Sequence, residues 1–169
     1  RTKGLSKSKT ARESFRKRYG MELLEAVKRP QPNGWPNAKV VEWQNEAIAD
    51  IVRTVSRRAR AAKPGIVISI DGHPYLPTGA PGTEGRDGFW WAQEGWIDVL
   101  YTMDYGRKLA WEKADAIRAA LKRPEAFVTI AGNYDRLPNG KVVSRDAQRV
   151  ADLLAYGQRK SRGNGVALY

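Results

Sequence analysis

The sequence predicts an α/β fold built on a parallel sheet, on three observations. Short runs rich in β-branched residues alternate with amphipathic helical stripes. Glycine, proline or polar turns bound each of those runs. The order is helix, strand repeated four times over a chain of 169 residues, long enough for one domain with a sizeable core. Four such units fit either a small doubly wound sheet or half of an eight-stranded (β/α) barrel.

The elements follow in order. "TARESFRKRYG" opens with a capping box, Thr10 with Glu13, and stops at Gly20. Phe15 and Tyr19 lie four apart on one apolar stripe of that helix. "KRPQPNGWPN" carries three prolines and a glycine and reads as a loop. These segments make residues 1–39 a loop and helix arm, and residues 40–169 a run of α/β units. From Val40 to Lys63, Trp43, Ala47, Ile48, Ile51, Val52, Val55 and Ala59 recur at helical spacing, and Pro64 and Gly65 end the helix. "IVISID" (66–71) is a short strand covered on both faces. The next stretch, 72–88, has five glycines and three prolines, which makes it a long and therefore functionally suspect loop. "FWWAQEGW" is a short helix or turn, and Ile97 to Met103 a second strand. A helix fits 107–122, with Ala110, Ala114, Ile117 and Leu121 on one face. "AFVTIAG" (126–132) is a third strand and "NYDRLPNGKVV" a loop. Ser144 can cap a helix whose stripe is Ala147, Val150, Ala151 and Leu154, and "GVALY" (165–169) is a fourth strand.

Composition narrows the chemistry. The chain has no cysteine, which excludes disulfides, thiolate metal sites and cysteine nucleophiles. Its single histidine, His73, excludes a multi-histidine metal centre, so no metal is expected, and no organic cofactor is implied. No apolar run approaches the roughly 20 residues of a membrane span. Glycine-rich phosphate loops of the GxGxxG or GxxxxGK type follow none of the strands, which weakens a nucleotide-binding reading. The net charge is +12, and residues 1–63 hold 16 Lys and Arg against 6 Asp and Glu. A basic arm of this kind can contact nucleic acid. Base stacking needs exposed aromatics among the basic residues, and Phe15 and Tyr19 suit a buried stripe better. A solvated helix face is the preferred reading, and nucleic acid is not the expected partner.

Side chains alternate faces along a strand, and parity sorts each strand into two sets. Ile66, Ile68 and Ile70 lie opposite Val67, Ser69 and Asp71. Ile97, Val99, Tyr101 and Met103 lie opposite Asp98, Leu100, Thr102 and Asp104. Val128 and Ile130 lie opposite Phe127, Thr129, Ala131 and, by extension, Asn133. Each strand thus has an apolar face and a second face that turns polar toward its end, which predicts a rim holding Asp71, Asp104 and Asn133. Two carboxylates at such a rim suit glycosidic bond cleavage, one protonating the leaving oxygen and the other attacking, stabilising the sugar cation or activating water. His73, two residues past Asp71, can bind a sugar hydroxyl or tune the acid. The alternative is that Asp71 is an ordinary turn residue and His73 caps nearby carbonyls. Tyr75 and Tyr134 are candidate sugar contacts on rim loops, whereas Trp43, Trp96 and Trp111 are expected in the core.

"EGWIDVLYTMDY" resembles the sixth-strand segment of the glycoside hydrolase-like family 10 barrels, bacterial envelope proteins whose members act on peptidoglycan glycan strands. "ARESFRKRYGMEL", "VVEWQNEAIADIVRTVSRRARAAKPGIVISID" and "GNGVALY" resemble, in order, the segment after the fourth strand, the fourth helix with the fifth strand, and the eighth strand. The resemblance implies a TIM-barrel-like fold in which this chain is a fragment, the second half of the barrel. The missing N-terminal half, with a fourth-strand aspartate segment, would then be its partner. The segment is also similar, more distantly, to the Met-x-Tyr-Asp strand of family 18 chitinases. Met103 and Tyr105 match, but Gly106 stands where the chitinase aspartate would be, which speaks against an acetamido-assisted mechanism. That analogy turns Met103 and Tyr105 inward, while parity turns Thr102 and Asp104 inward, and parity is preferred for Thr102.

The functional expectation is a glycoside hydrolase of the cell envelope, outside the cytoplasm, cleaving peptidoglycan or a related amino-sugar polymer. Asp71 and Asp104 are the expected catalytic pair, and His73, Tyr75, Tyr105, Asn133 and Tyr134 the substrate-binding residues. A carbohydrate-binding protein without catalysis is the second reading, and a basic nucleic-acid-binding protein the third. The chain begins at Arg1 without a methionine, as expected if a leader has been removed upstream.

Overall fold

A computed structural model of the chain describes residues 7–72, 85–102, 111–123, 127–160 and 167–168. The first helix, α1 (Lys9–Tyr19), starts two residues earlier than its expected capping box. Ser8 is its N-cap, and its hydroxyl accepts from the Ala11 amide at 3.2 Å. Gly20 ends it with φ 68°, a left-handed conformation that glycine adopts without a Cβ clash, and its N–H donates to the Arg16 carbonyl. The short α2 (Leu23–Val27) packs back on α1. Asn37 caps α3 (Ala38–Ala62), accepting from the Lys39 amide at 3.1 Å. Phe15, Leu23, Ala26 and Val40 close a first core between these three helices, with Tyr19 and Trp43 packed against it.

Helix α3 presents a different face from the expected one. Its buried line is Val40, Val41, Gln44, Asn45, Ala49 and Ser56, while Ile51 and Val55 are 59% and 58% exposed. Its middle faces a second core through Ile48, Ala49 and Val52, and the arc that serves both cores excludes Ile51 and Val55.

The second core underlies a sheet. Its strands are β1 (Ser69–Gly72), β2 (Val99–Thr102), β3 (Phe127–Ala131) and β6 (Ala167–Leu168), in the order β1-β2-β3-β6 and all parallel. Between β1 and β2 lies α4 (Gly88–Gln93), capped by Asp87, whose carboxylate accepts from the Trp90 amide at 2.9 Å. Between β2 and β3 lies α5 (Trp111–Ala120). The Gln93 side chain ties the two helices: its amide donates to the Ala120 carbonyl at 3.0 Å and its oxygen accepts from the Lys122 amide at 2.8 Å. Leu100, Ile97, Ile117, Leu121, Phe89 and Trp91 fill the centre.

The stretch expected to be a loop after β3 is an antiparallel hairpin. Strands β4 (Tyr134–Arg136) and β5 (Val142–Ser144) pair through Asp135 and Val143, and Gly140 turns the chain with φ 82°. Arg145 anchors the hairpin with a fully buried side chain, donating to Asp135 at 3.0 Å and to the Gly132 carbonyl at 2.7 Å. Ser144 therefore belongs to β5 and caps nothing. Helix α6 (Ala147–Lys160) is capped by Asp146, which accepts from the Gln148 amide at 2.9 Å.

The half of an eight-stranded TIM-barrel-like fold expected from the sequence is not formed. The described strands make a small open sheet, each two to five residues long, and a separate two-stranded hairpin breaks the sequence between β3 and α6. Alternation of short strands and helices specifies parallel pairing, and barrel closure also requires strand tilt and shear that no pattern of apolar residues encodes.

Candidate functional site

In open parallel sheets, ligands bind outside the carboxyl ends of the strands. Asp71 stands there, exposed, one residue before the end of β1. Its register partner is Tyr101 of β2, which in turn pairs with Val128 of β3. Paired residues point to the same side of a sheet, so Asp71, the half-buried Tyr101 and the buried Val128 share one face. The other face carries Ile70, Leu100, Gly72 and Thr102, and Leu100 and Thr102 are buried on it.

This arrangement corrects the parity reading. Parity within each strand is right, but β1 is inverted relative to β2. Thr102, expected on the polar face shared with Asp71, lies on the opposite, buried face. Register decides which faces adjoin, and nothing in the isolated strands specified it. Asp98, which shares the parity of Thr102, stands at the opposite, amino-terminal side of β2. Its carboxylate accepts from the Ile68 amide and from Arg60, both at 2.9 Å, and lies 3.6 Å from Arg123. Burial opposes its charge, but the Ile68 amide and the two guanidinium groups outweigh that and hold the carboxyl below the usual carboxylate range.

The other expected site residues divide into two groups. Asn133 and Tyr134 sit where β3 passes into the hairpin, not on a free rim loop. Asn133 is exposed and its carbonyl accepts from the Arg145 amide at 2.8 Å, while Tyr134 is half-buried in β4 opposite Ser144. His73, Tyr75, Asp104 and Tyr105 lie outside the described residues, as does the Trp111 side chain. Asp71 and Tyr101 are therefore the pair that the described sheet brings together.

Two grooves that the sequence did not signal lie against α3. One, of about 530 Å³, is lined by residues including Trp35, Val41, Asn45, Glu46, Asp87 and Trp90. The other, of about 760 Å³, is lined by residues including Trp43, Glu46, Asp50, Trp90, Glu94 and Trp96. Glu46 and Trp90 border both. Trp90 and Trp96 pack with ring centres 5.3 Å apart, and the Arg53 guanidinium lies over Trp96 at 5.7 Å. Arg18 bridges Glu42 and Glu46, and its hydrogen bond holds the Glu46 carboxyl below its ordinary value. Burial first, and Glu42 next, push the Tyr19 phenol up to about 12. Trp43 and Trp96 pack against the two cores, as expected for them.

Much of the basic arm is spoken for by internal pairs. Arg12 and Arg16 meet Glu22, Lys28 meets Glu25, Arg53 meets Asp50, and Arg60 meets Asp98. Among the described residues no group of three or more His, Asp or Glu is placed to hold a metal ion, and no helix is long and apolar enough to cross a membrane. Comparison with protein-family models, curated proteins and solved structures finds no match, and the resemblance to glycoside hydrolase-like family 10 rests on the quoted segments alone.

Proposed function

We propose that the protein is a glycoside hydrolase that cleaves a bacterial envelope polysaccharide, a peptidoglycan glycan strand or a related amino-sugar polymer. The observation that carries this reading is Asp71, an exposed carboxylate at the carboxyl end of a parallel strand with Tyr101 beside it on the same face. A carboxylate so placed can serve as one member of an acid/base pair, and a half-buried tyrosine beside it can supply both a hydroxyl donor and a flat ring. Asp104, two residues after Thr102 in the sequence and outside the described residues, is the proposed second member. His73, Tyr75 and Tyr105 are proposed to complete the sugar site, with Asn133 and Tyr134 at its margin.

The test is hydrolysis of purified glycan strands by Asp71→Asn and Asp104→Asn variants. Loss of a general acid or base is expected to lower the rate by about 100-fold or more. Unchanged cleavage by either variant removes that residue from the catalytic pair. A polysaccharide-binding protein without hydrolysis is the second reading. It is favoured by one fact: of the described acids, Asp71 alone lies in the last two residues of a strand of the parallel sheet. Binding of the same strands without release of reducing ends would decide for it.

A further inference from the structure

We infer that the groove between the Trp35 loop, α3 and the start of α4 is a separate sugar-binding site for an uncharged, hydroxyl-rich polysaccharide. Its volume of about 530 Å³ falls within the range of small-molecule sites, roughly 300 to 1,000 Å³. Trp35 is 42% exposed, unusual for so large an apolar ring. The loop that carries it is built by its own hydrogen bonds. The Trp35 amide donates to the Asn33 side chain at 3.0 Å, its carbonyl accepts from the Gln31 amide at 2.7 Å, and the Gln31 side chain donates to the Pro36 carbonyl at 2.8 Å. The indole is thus presented by a pre-formed loop, and presenting it costs little further ordering on binding.

A second observation points to a ligand. Asn45 is 7% exposed and lines the groove, and its side-chain oxygen is buried with no hydrogen-bond partner among the described residues. An orphaned acceptor of this kind carries an uncompensated desolvation cost, which a donor from a ligand recovers. The neighbouring polar groups are acceptors too: Glu42, Glu46 and Asp87. Arg18 pairs with both glutamates and offsets one of their two charges, and the Asp87 carboxylate accepts from the Trp90 amide. The groove therefore offers acceptors and a residual negative charge, which disfavours an anionic glycan, beside the indoles of Trp35 and Trp90. Pyranose rings match that chemistry, with hydroxyl donors on the rim and an apolar face for an indole. Beyond Glu46 and Trp90 the second groove continues with Trp43 and Trp96, which gives a chain of sugar units somewhere to extend. The choice of a polysaccharide is shared with the proposed function, but the site stands on its own residues and not on Asp71.

The experiment titrates the full chain with cellotetraose, chitotetraose and tetramethylammonium, following tryptophan fluorescence and heat of binding. One of the oligosaccharides is expected to bind at roughly 1 mM or tighter. Trp35→Ala is expected to weaken that binding at least about 10-fold, the loss of a main stacking partner, with an unchanged melting temperature, since the loop is closed by backbone and other side chains. Asn45→Val is expected to weaken binding while leaving the melting temperature equal or higher, because it removes a buried acceptor that the fold itself does not use. No oligosaccharide binding, equal binding by Trp35→Ala, or a response to tetramethylammonium alone would overturn the inference. Trp35-dependent binding in a protein that cleaves no glycan would instead leave this site standing and overturn the hydrolase reading.

Discussion

Leu100 is fully buried, and a Cβ built on Gly88 would come within 2.6 Å of its Cδ1 and 3.3 Å of its Cδ2. The first turn of α4 thus touches β2 with no room for a side chain. Gly88→Ala is expected to destabilise the protein by about 1–3 kcal/mol, the cost of overpacking, measured by urea unfolding. Pairing it with Leu100→Val is expected to recover part of that loss, and equal instability of single and double variants would contradict the contact. At this scale the sequence was legible where a residue's role follows from its type. The position of Asp71 at the end of a β-branched run is such a case, and so is the packing of Phe15 and Trp91 in the cores. It was not legible for Asn45, a polar residue in the middle of a helix whose stripe was read through its apolar neighbours. Nor was it legible for Trp35, which a proline-rich loop disguised as connector.

Between elements, the ion pair of Asp98 joins the end of α3 to the entries of both β1 and β2. Arg60 also donates to the Gly95 carbonyl and to Ser56, each at 2.9 Å. The folded-state pKa of Asp98 lies below its ordinary value. Its stabilising contribution is therefore complete above the unfolded value, about 3.9, and is lost as pH falls through the lower folded value. Asp98→Asn is expected to cost about 1.5–3 kcal/mol at neutral pH, the worth of charge-assisted hydrogen bonds. It is also expected to flatten the fall in melting temperature below about pH 4. A variant whose stability tracks the unaltered protein at both pH values would refute this account. Strand positions were legible from the runs at 66–71, 97–103 and 126–132, because β-branched residues mark themselves. Register was not, and with it went the face on which Thr102 lies. The hairpin was signalled by Asn139-Gly140 between two short runs, but strands of three residues each are too short to show an alternation of their own.

Over the whole molecule, two cores share one helix. The first is made by α1, α2 and the start of α3 around Phe15, and the second by the sheet, α4, α5 and the middle of α3. The alternation of elements announced an α/β protein, but the open sheet and its interrupting hairpin could not be read from it, since closure depends on tilt and stagger between strands. The 25 residues of α3 span about 37 Å at 1.5 Å per residue, and Val40 and Ala49 on it belong to different cores. Each added residue turns a helix by about 100°, so the angle between the two cores is stored as a count. A single alanine inserted between Val41 and Gln44 is expected to leave each core intact in composition yet unable to form with the other. Hydrogen exchange would then show protection lost from one of them, whereas the same insertion in the loop at 28–37 would cost little. The helix works as a ruler, and an insertion or deletion within it alters the molecule more than most substitutions could.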